Sequence, residues 1–143
     1  MADLEKQLAN KSIDLGAVSL VCVESRRPAL AVHALQRCLR QARFKECLLL
    51  SPQAPALPEG IRHVPIAPIT SVAGYSDFIV GKLGDYFTGS HVLIVQWDGF
   101  ILDATRWDAR FLDYDYIGAP WLDGRRLAQD GLLESPHLWA GVQ

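Results

Sequence analysis

Three stretches of this chain are apolar at nearly every position in turn: AVSLVCVES (17–25), ECLLLS (46–51) and HVLIV (91–95). Successive side chains of a β-strand point to opposite faces, so a strand with one wet face alternates apolar and polar residues. Runs that do not alternate belong to strands covered on both sides. That condition is met in a parallel sheet lying between layers of helices.

The stretches between these runs agree. In RRPALAVHALQRCLRQARF (26–44), Pro28 suits a first helical position. Leu35, Cys38, Leu39 and Ala42 then recur at helical spacing, and Arg37, Arg40 and Arg43 fall largely elsewhere. PQAPALPEG (52–60) reads as a proline-rich loop, and RHVPIAP (62–68) as a short strand whose prolines suit a sheet edge. YSDFIVGKLGDYF (75–87) carries Phe78, Ile79, Leu83, Tyr86 and Phe87 at helical spacing and predicts a second helix, despite two internal glycines. The order strand–helix–strand–strand–helix–strand predicts an α/β fold with a mostly parallel central sheet flanked by helices. Such sheets bind ligands beyond the carboxyl ends of their strands.

With 143 residues, 50% of them hydrophobic and 21% charged, the chain has one domain's worth of core. A formal net charge of −2 supplies no field to recruit nucleic acid or anionic lipid. Residues 1–16 read as a polar helix or tail; they lack the apolar core of a signal peptide. No apolar run approaches the roughly 20 residues of a membrane span, so no transmembrane segment is expected. Cys22, Cys38 and Cys47 form no C-x-x-C pair and sit in apolar segments, as buried reduced thiols do; a cytoplasmic location is expected. Residues 122–143 are weakly patterned and look like a partial C-terminal segment, cut inside a larger fold, after a main domain over 17–121.

ESRRPAL follows the first run where a G-x-G-x-x-G turn would stand, and neither G-x-x-x-x-G-K-[ST] nor G-x-S-x-G occurs. These absences argue against a dinucleotide site, a P-loop and a serine hydrolase. The informative region is HVLIVQWDGFILDATRWDARFLDYDYIGAPW (91–121). Asp98 has two readings: a carboxylate delivered to a site just past a central strand, or half of an Asp-Gly turn closing a hairpin between 92–97 and 100–102. Asp103 reads better as the cap of a short helix over 104–112 than as chemistry. Asp113 and Asp115 would share one face if 112–117 is extended, either as divalent-metal ligands or as an exposed acidic edge. Trp97, Trp107 and Trp121 suit the core or the apolar face of a sugar ring. His137, in ESPHLW, is a remote metal ligand at best. Lys82 and Arg26 are the natural candidates for phosphate contact, against a default role as solvated surface charges.

Tyr75, Ser76 and Phe78, then HVLIVQWDGF (91–100), Trp107 and FLDYDYIGAPW (111–121), together resemble a bacterial family of glycosyltransferase-like proteins, largely described as a domain of unknown function. The resemblance covers roughly 18–121. More distantly, the layout is similar to GT-A nucleotide-sugar transferases, in which a helix bearing a phosphate-facing lysine precedes a strand that delivers a D-x-D metal motif. The resemblance implies a GT-A-like, Rossmann-related domain over 17–121 that binds a nucleotide-sugar donor. It places Lys82 on phosphate and Asp98 on Mn²⁺ or Mg²⁺ as the catalytic carboxylate. Gln96 stands where the first acid of D-x-D would be, so Asp113 or Asp115 would have to supply the second carboxylate. Glu24, Ser25 and Ser51 would border the base, and Trp97 or Trp121 would pack on base or sugar. The family's glycine-rich G-N-G-G-F-S-L-R-S continuation after YIGAPW does not occur here.

The expected function is therefore metal-assisted transfer of a sugar from a nucleotide-sugar to an acceptor not read from the sequence. The alternatives are a non-catalytic or truncated nucleotide- or carbohydrate-binding module, and a protein-interaction domain.

Overall fold

The computed structural model describes residues 12–118. Four strands form one sheet: β1 (Ile13–Val23), β2 (Ala42–Ser51), β3 (Arg62–Pro65) and β4 (His91–Val95). Their order is β3-β2-β1-β4 and every pairing is parallel. Two helices accompany them, α1 (Pro28–Leu39) between β1 and β2, and α2 (Val72–Gly81) between β3 and β4. The result is the expected α/β architecture, Rossmann-like in its all-parallel sheet flanked by helices. The chain separates into two compact units, 1–108 and 109–143, and these four strands and two helices lie in the first. No helix among the described residues is long and apolar enough to cross a membrane.

The core explains why the strand sequences do not alternate. Leu20 and Cys22 of β1, with Cys47 and Leu49 of β2, pack against Ala31, Val32, Leu35 and Cys38 of α1. Val21 and Val23, with Leu48 and Leu50, face the other way, onto Phe78 of α2 and Leu83. Consecutive residues thus feed two separate apolar layers, each large aliphatic side chain contributing ~1.5–3 kcal/mol on burial. All three cysteines are free and buried, and burial pushes the thiols of Cys22 and Cys47 up to about 12.

Several boundaries differ from expectation. β1 starts at Ile13 rather than 17, because Ile13–Leu15 pair with Ala42–Phe44 at the start of β2. β2 likewise starts at Ala42 rather than 46. The second helix runs Val72–Gly81, three residues ahead of its predicted start, and is followed by a separate 3₁₀ turn, Leu83–Asp85. β4 is not central: among the described residues it is an edge strand beside β1, opposite the β3 edge that the prolines announced. The helix expected over 104–112 is replaced by two 3₁₀ turns, Ala104–Arg106 and, in the second unit, Ala109–Asp113. Asp103 does cap the first of these, accepting from the Thr105 amide at 3.0 Å.

Two glycines are required by geometry. Gly60 enters β3 with φ 90°, in the left-handed region. Gly89 enters β4 so close to β1 that a Cβ there would lie 2.7 Å from the Ser19 nitrogen and 2.8 Å from the Ala17 carbonyl oxygen. The polar N-terminal segment up to residue 11, Trp121, His137 and the segment 122–143 lie outside the described residues.

Candidate functional site

From β1 the chain proceeds to β2 on one side, and the sheet is completed by β4 on the other. Between β1 and β4 the direction of winding reverses, and the loops leaving two such strands diverge and open a crevice at their carboxyl ends. That crevice is here a hollow of about 500 Å³, within the usual ~300–1,000 Å³ of small-molecule sites. Val23–Arg26 line it from β1, Gln96 and Trp97 from β4, and Ile69–Val72 with Tyr75 from the start of α2. Of the residues singled out in the sequence, Glu24, Ser25, Arg26, Tyr75, Gln96 and Trp97 are brought together in this one place.

Each wall is fixed by identifiable bonds. One carboxylate oxygen of Glu24 accepts from the amides of Arg26 and Arg27, at 2.7 and 3.1 Å, and so shapes the β1–α1 turn. The Ser25 hydroxyl oxygen accepts from the Ile69 amide at 2.9 Å, tying the segment before α2 to the end of β1. Ser71 caps α2, its hydroxyl accepting from the Gly74 amide at 3.0 Å. The Arg27 guanidinium lies 4.5 Å from the centre of the Trp97 ring, a cation–π contact joining the loops after β1 and β4. The Gln96 amide nitrogen donates to the Tyr75 hydroxyl at 3.2 Å. Burial holds the Tyr75 phenol above its ordinary range, against the opposing pull of the Gln96 bond, so it stays protonated at neutral pH.

The QWDG stretch is a tight turn. Gln96 and Gly99 exchange both backbone bonds, Gln96 N–H to Gly99 at 2.8 Å and Gly99 N–H to Gln96 at 3.1 Å. Trp97 and Asp98 occupy its two central positions. Neither has positive φ, so the Asp-Gly pair does not build the mirror-image hairpin turn, and no second strand follows over 100–102. Asp98 is exposed at the tip of this turn and does not line the hollow, which receives Gln96 and Trp97 instead.

Other candidates fall elsewhere. Ser51 is fully buried; its hydroxyl donates to the Gln53 carbonyl at 2.7 Å and meets His63 Nε2 at 3.1 Å, locking the ends of β2 and β3. Lys82 lines a neighbouring hollow of about 420 Å³ with Asp77, Phe78 and Tyr86. Asp113 ends a 3₁₀ turn and Asp115 follows in a bend, so 112–117 is not extended and does not align the two carboxylates as a strand would. Both belong to the second unit. Among the described residues no three His, Cys, Asp or Glu side chains gather as a metal site.

Residues 60–138, more than half of the chain, match the family described as "Protein of unknown function (DUF5672)". The chain belongs to that family. The match to the DUF5672 family begins just before β3 and takes in α2, β4 and the QWDG turn, but not β1, α1 or β2. The hollow is thus assembled from both sides of that boundary, with Val23–Arg26 outside the DUF5672 match and Ile69–Trp97 within it. No curated protein and no solved structure matches the chain.

Sequence reading missed two contributors. Arg27 holds Trp97 across 70 positions of sequence, which no local pattern reports. Ser71 did carry a signal, since a serine just before an apolar run is a helix cap.

Proposed function

We propose that this domain binds a nucleotide-sugar in the hollow at the β1/β4 strand ends and takes part in transferring the sugar to an acceptor. The observation that carries this reading is the convergence of Glu24, Ser25 and Arg26 with Gln96, Trp97 and Tyr75 at the point where the winding of a parallel sheet reverses. The resemblance of the Y-S-x-F, QWDGF and YDYIGAPW motifs to glycosyltransferase-like proteins supplies the reaction class. In this reading Trp97 offers an aromatic surface, Arg26 a charge for phosphate, and Glu24 and Ser25 hold the loops that shape the hollow. Asp98, one residue beyond the lining, is the side chain that would hold Mn²⁺ or Mg²⁺ beside the diphosphate. Bound there, the cation would neutralise the leaving group.

A second reading, a module that binds the nucleotide without transferring anything, is favoured by one observation: the QWDG turn contributes Gln96 rather than an acid to the hollow, and its own carboxylate, Asp98, does not line it. Isothermal titration with a panel of nucleoside diphosphates, with and without Mn²⁺, separates the two. Binding strengthened by Mn²⁺ and weakened by Asp98→Asn supports transfer. Binding indifferent to both supports the module, and no binding by any nucleotide overturns both.

A further inference from the structure

Tyr75 and Gln96 meet across the hollow, one from α2 and one from the end of β4, 3.2 Å apart. With the Gln96 amide nitrogen donating to the phenol oxygen, the phenol hydrogen and the Gln96 carbonyl oxygen are left without a partner in that bond. If the amide is turned over, the phenol donates to the carbonyl oxygen, leaving a phenol lone pair and the amide hydrogens. Either arrangement presents one donor beside one acceptor. Both residues line the same hollow as Trp97, whose ring is held by the Arg27 guanidinium at 4.5 Å. A donor and an acceptor side by side, next to a fixed aromatic surface, match a flat ring that carries an acceptor and an N–H on adjacent atoms.

We propose that Tyr75 and Gln96 act as a pair that reads the hydrogen-bonding edge of a nucleobase in the strand-end hollow. This rests on the nucleotide reading of that site and adds to it the residues that select the base. The lactam edge of uracil or guanine and the amidine edge of adenine or cytosine share this chemistry. Ribose and phosphate lack a planar donor–acceptor edge of this kind to lie against Trp97, so the pair fits them less well than a base. Tyr75, kept protonated by its surroundings, remains able to donate throughout the neutral range. The Gln96 side chain is exposed and its turn is closed by backbone bonds; the Tyr75 ring packs on the apolar layer of Val21 and Leu48, so its hydroxyl is the part open to a ligand.

The test is titration of the whole protein with uridine, cytidine, adenosine and guanosine, with ribose 5-phosphate as the base-free control, and with the corresponding nucleoside diphosphates. The wild type should bind at least one nucleoside. Tyr75→Phe, which keeps the ring, and Gln96→Leu should each weaken that binding about tenfold, the value of one hydrogen bond to a ligand. The double variant, which removes both contacts to the base, should lose more than either single variant. Ribose 5-phosphate binding should not change. Nucleoside binding that is equal in wild type and both variants, or ribose 5-phosphate bound as tightly as the nucleosides, overturns the base-reading pair and leaves the nucleotide site standing. Silence of the wild type toward every nucleoside and nucleoside diphosphate overturns both.

Discussion

Glu46 shows how much one side chain can organise far from any site. It accepts from the Ser19 hydroxyl at 2.7 Å, the Thr88 amide at 2.6 Å, the Thr88 hydroxyl at 2.9 Å and Arg62 at 3.3 Å, joining β1, β2, β3 and the entry to β4. Burial alone would raise its pKa, but the bonds from Ser19, Thr88 and Arg62 outweigh burial and hold the carboxyl below the ordinary glutamate range. A carboxyl lowered in the folded state contributes stability that is complete above that ordinary range and is lost as pH falls through the folded value. Glu46→Gln should therefore cost about 1–3 kcal/mol at neutral pH and less as the pH is lowered below the ordinary glutamate range, read as urea midpoints of the two proteins at each pH. Gln41 is a second such residue, donating to the carbonyls of Ile101 and Leu102 and accepting from the Ala104 amide at 2.7 Å. Gln41→Ala should leave the sheet intact and speed amide hydrogen exchange over residues 101–104. The same scale marks the limit of the sequence. The apolar run of β4 told where the strand would end, and therefore that a site could lie near 96–98. Which side chain of a tight turn faces inward depends on the turn's dihedrals, and these placed Gln96 and Trp97 in the hollow and Asp98 outside it.

Elements were legible where burial decided them and not where a single cap or glycine did. α1 follows its pattern because Ala31, Val32, Ala34, Leu35 and Cys38 must all reach the sheet. α2 has only Phe78 buried, so its limits are set locally: Ser71 starts it and the chain leaves it at Lys82, ahead of the 3₁₀ turn that contains Gly84. Apolar spacing across 75–87 merged these two pieces into one helix, since a 3₁₀ turn can continue the same apolar face. The two helices should respond differently to mutation. Ser71→Ala removes one cap bond and should cost about 1 kcal/mol. It should also loosen the first turn of α2, seen as faster exchange at the Gly74 and Tyr75 amides. Leu35→Ala empties a fully buried position between α1 and the sheet and should cost ~2–5 kcal/mol. Thermal unfolding of both variants orders the two effects: a larger loss for Ser71→Ala would mean that α2, not α1, is the helix on which the fold depends.

At the scale of the whole molecule, the family match and the folding unit do not coincide. The match begins at residue 60, yet β3 pairs with β2 and β4 pairs with β1, both of which precede it. Removing β1 and β2 would leave two strands on the order of 14 Å apart with nothing between them, three strand spacings in a parallel sheet. It would also remove α1 and nearly all of the apolar layer on that face. The parallel order was readable because three unbroken apolar runs require cover on both sides; the sheet order was not, because no residue in β4 announces whether it joins β1 or β3. That order makes β1 and β2, within residues 13–51, indispensable to the half of the chain that matches the family. A polypeptide of residues 60–143 alone should therefore show no cooperative thermal transition by circular dichroism and no protected amides in β4, whereas the 143-residue chain should show both. A sharp, reversible transition from the shorter polypeptide would mean that β3, α2 and β4 fold without β1 and β2, and the crevice between β1 and β4 would then lose its claim to be the site.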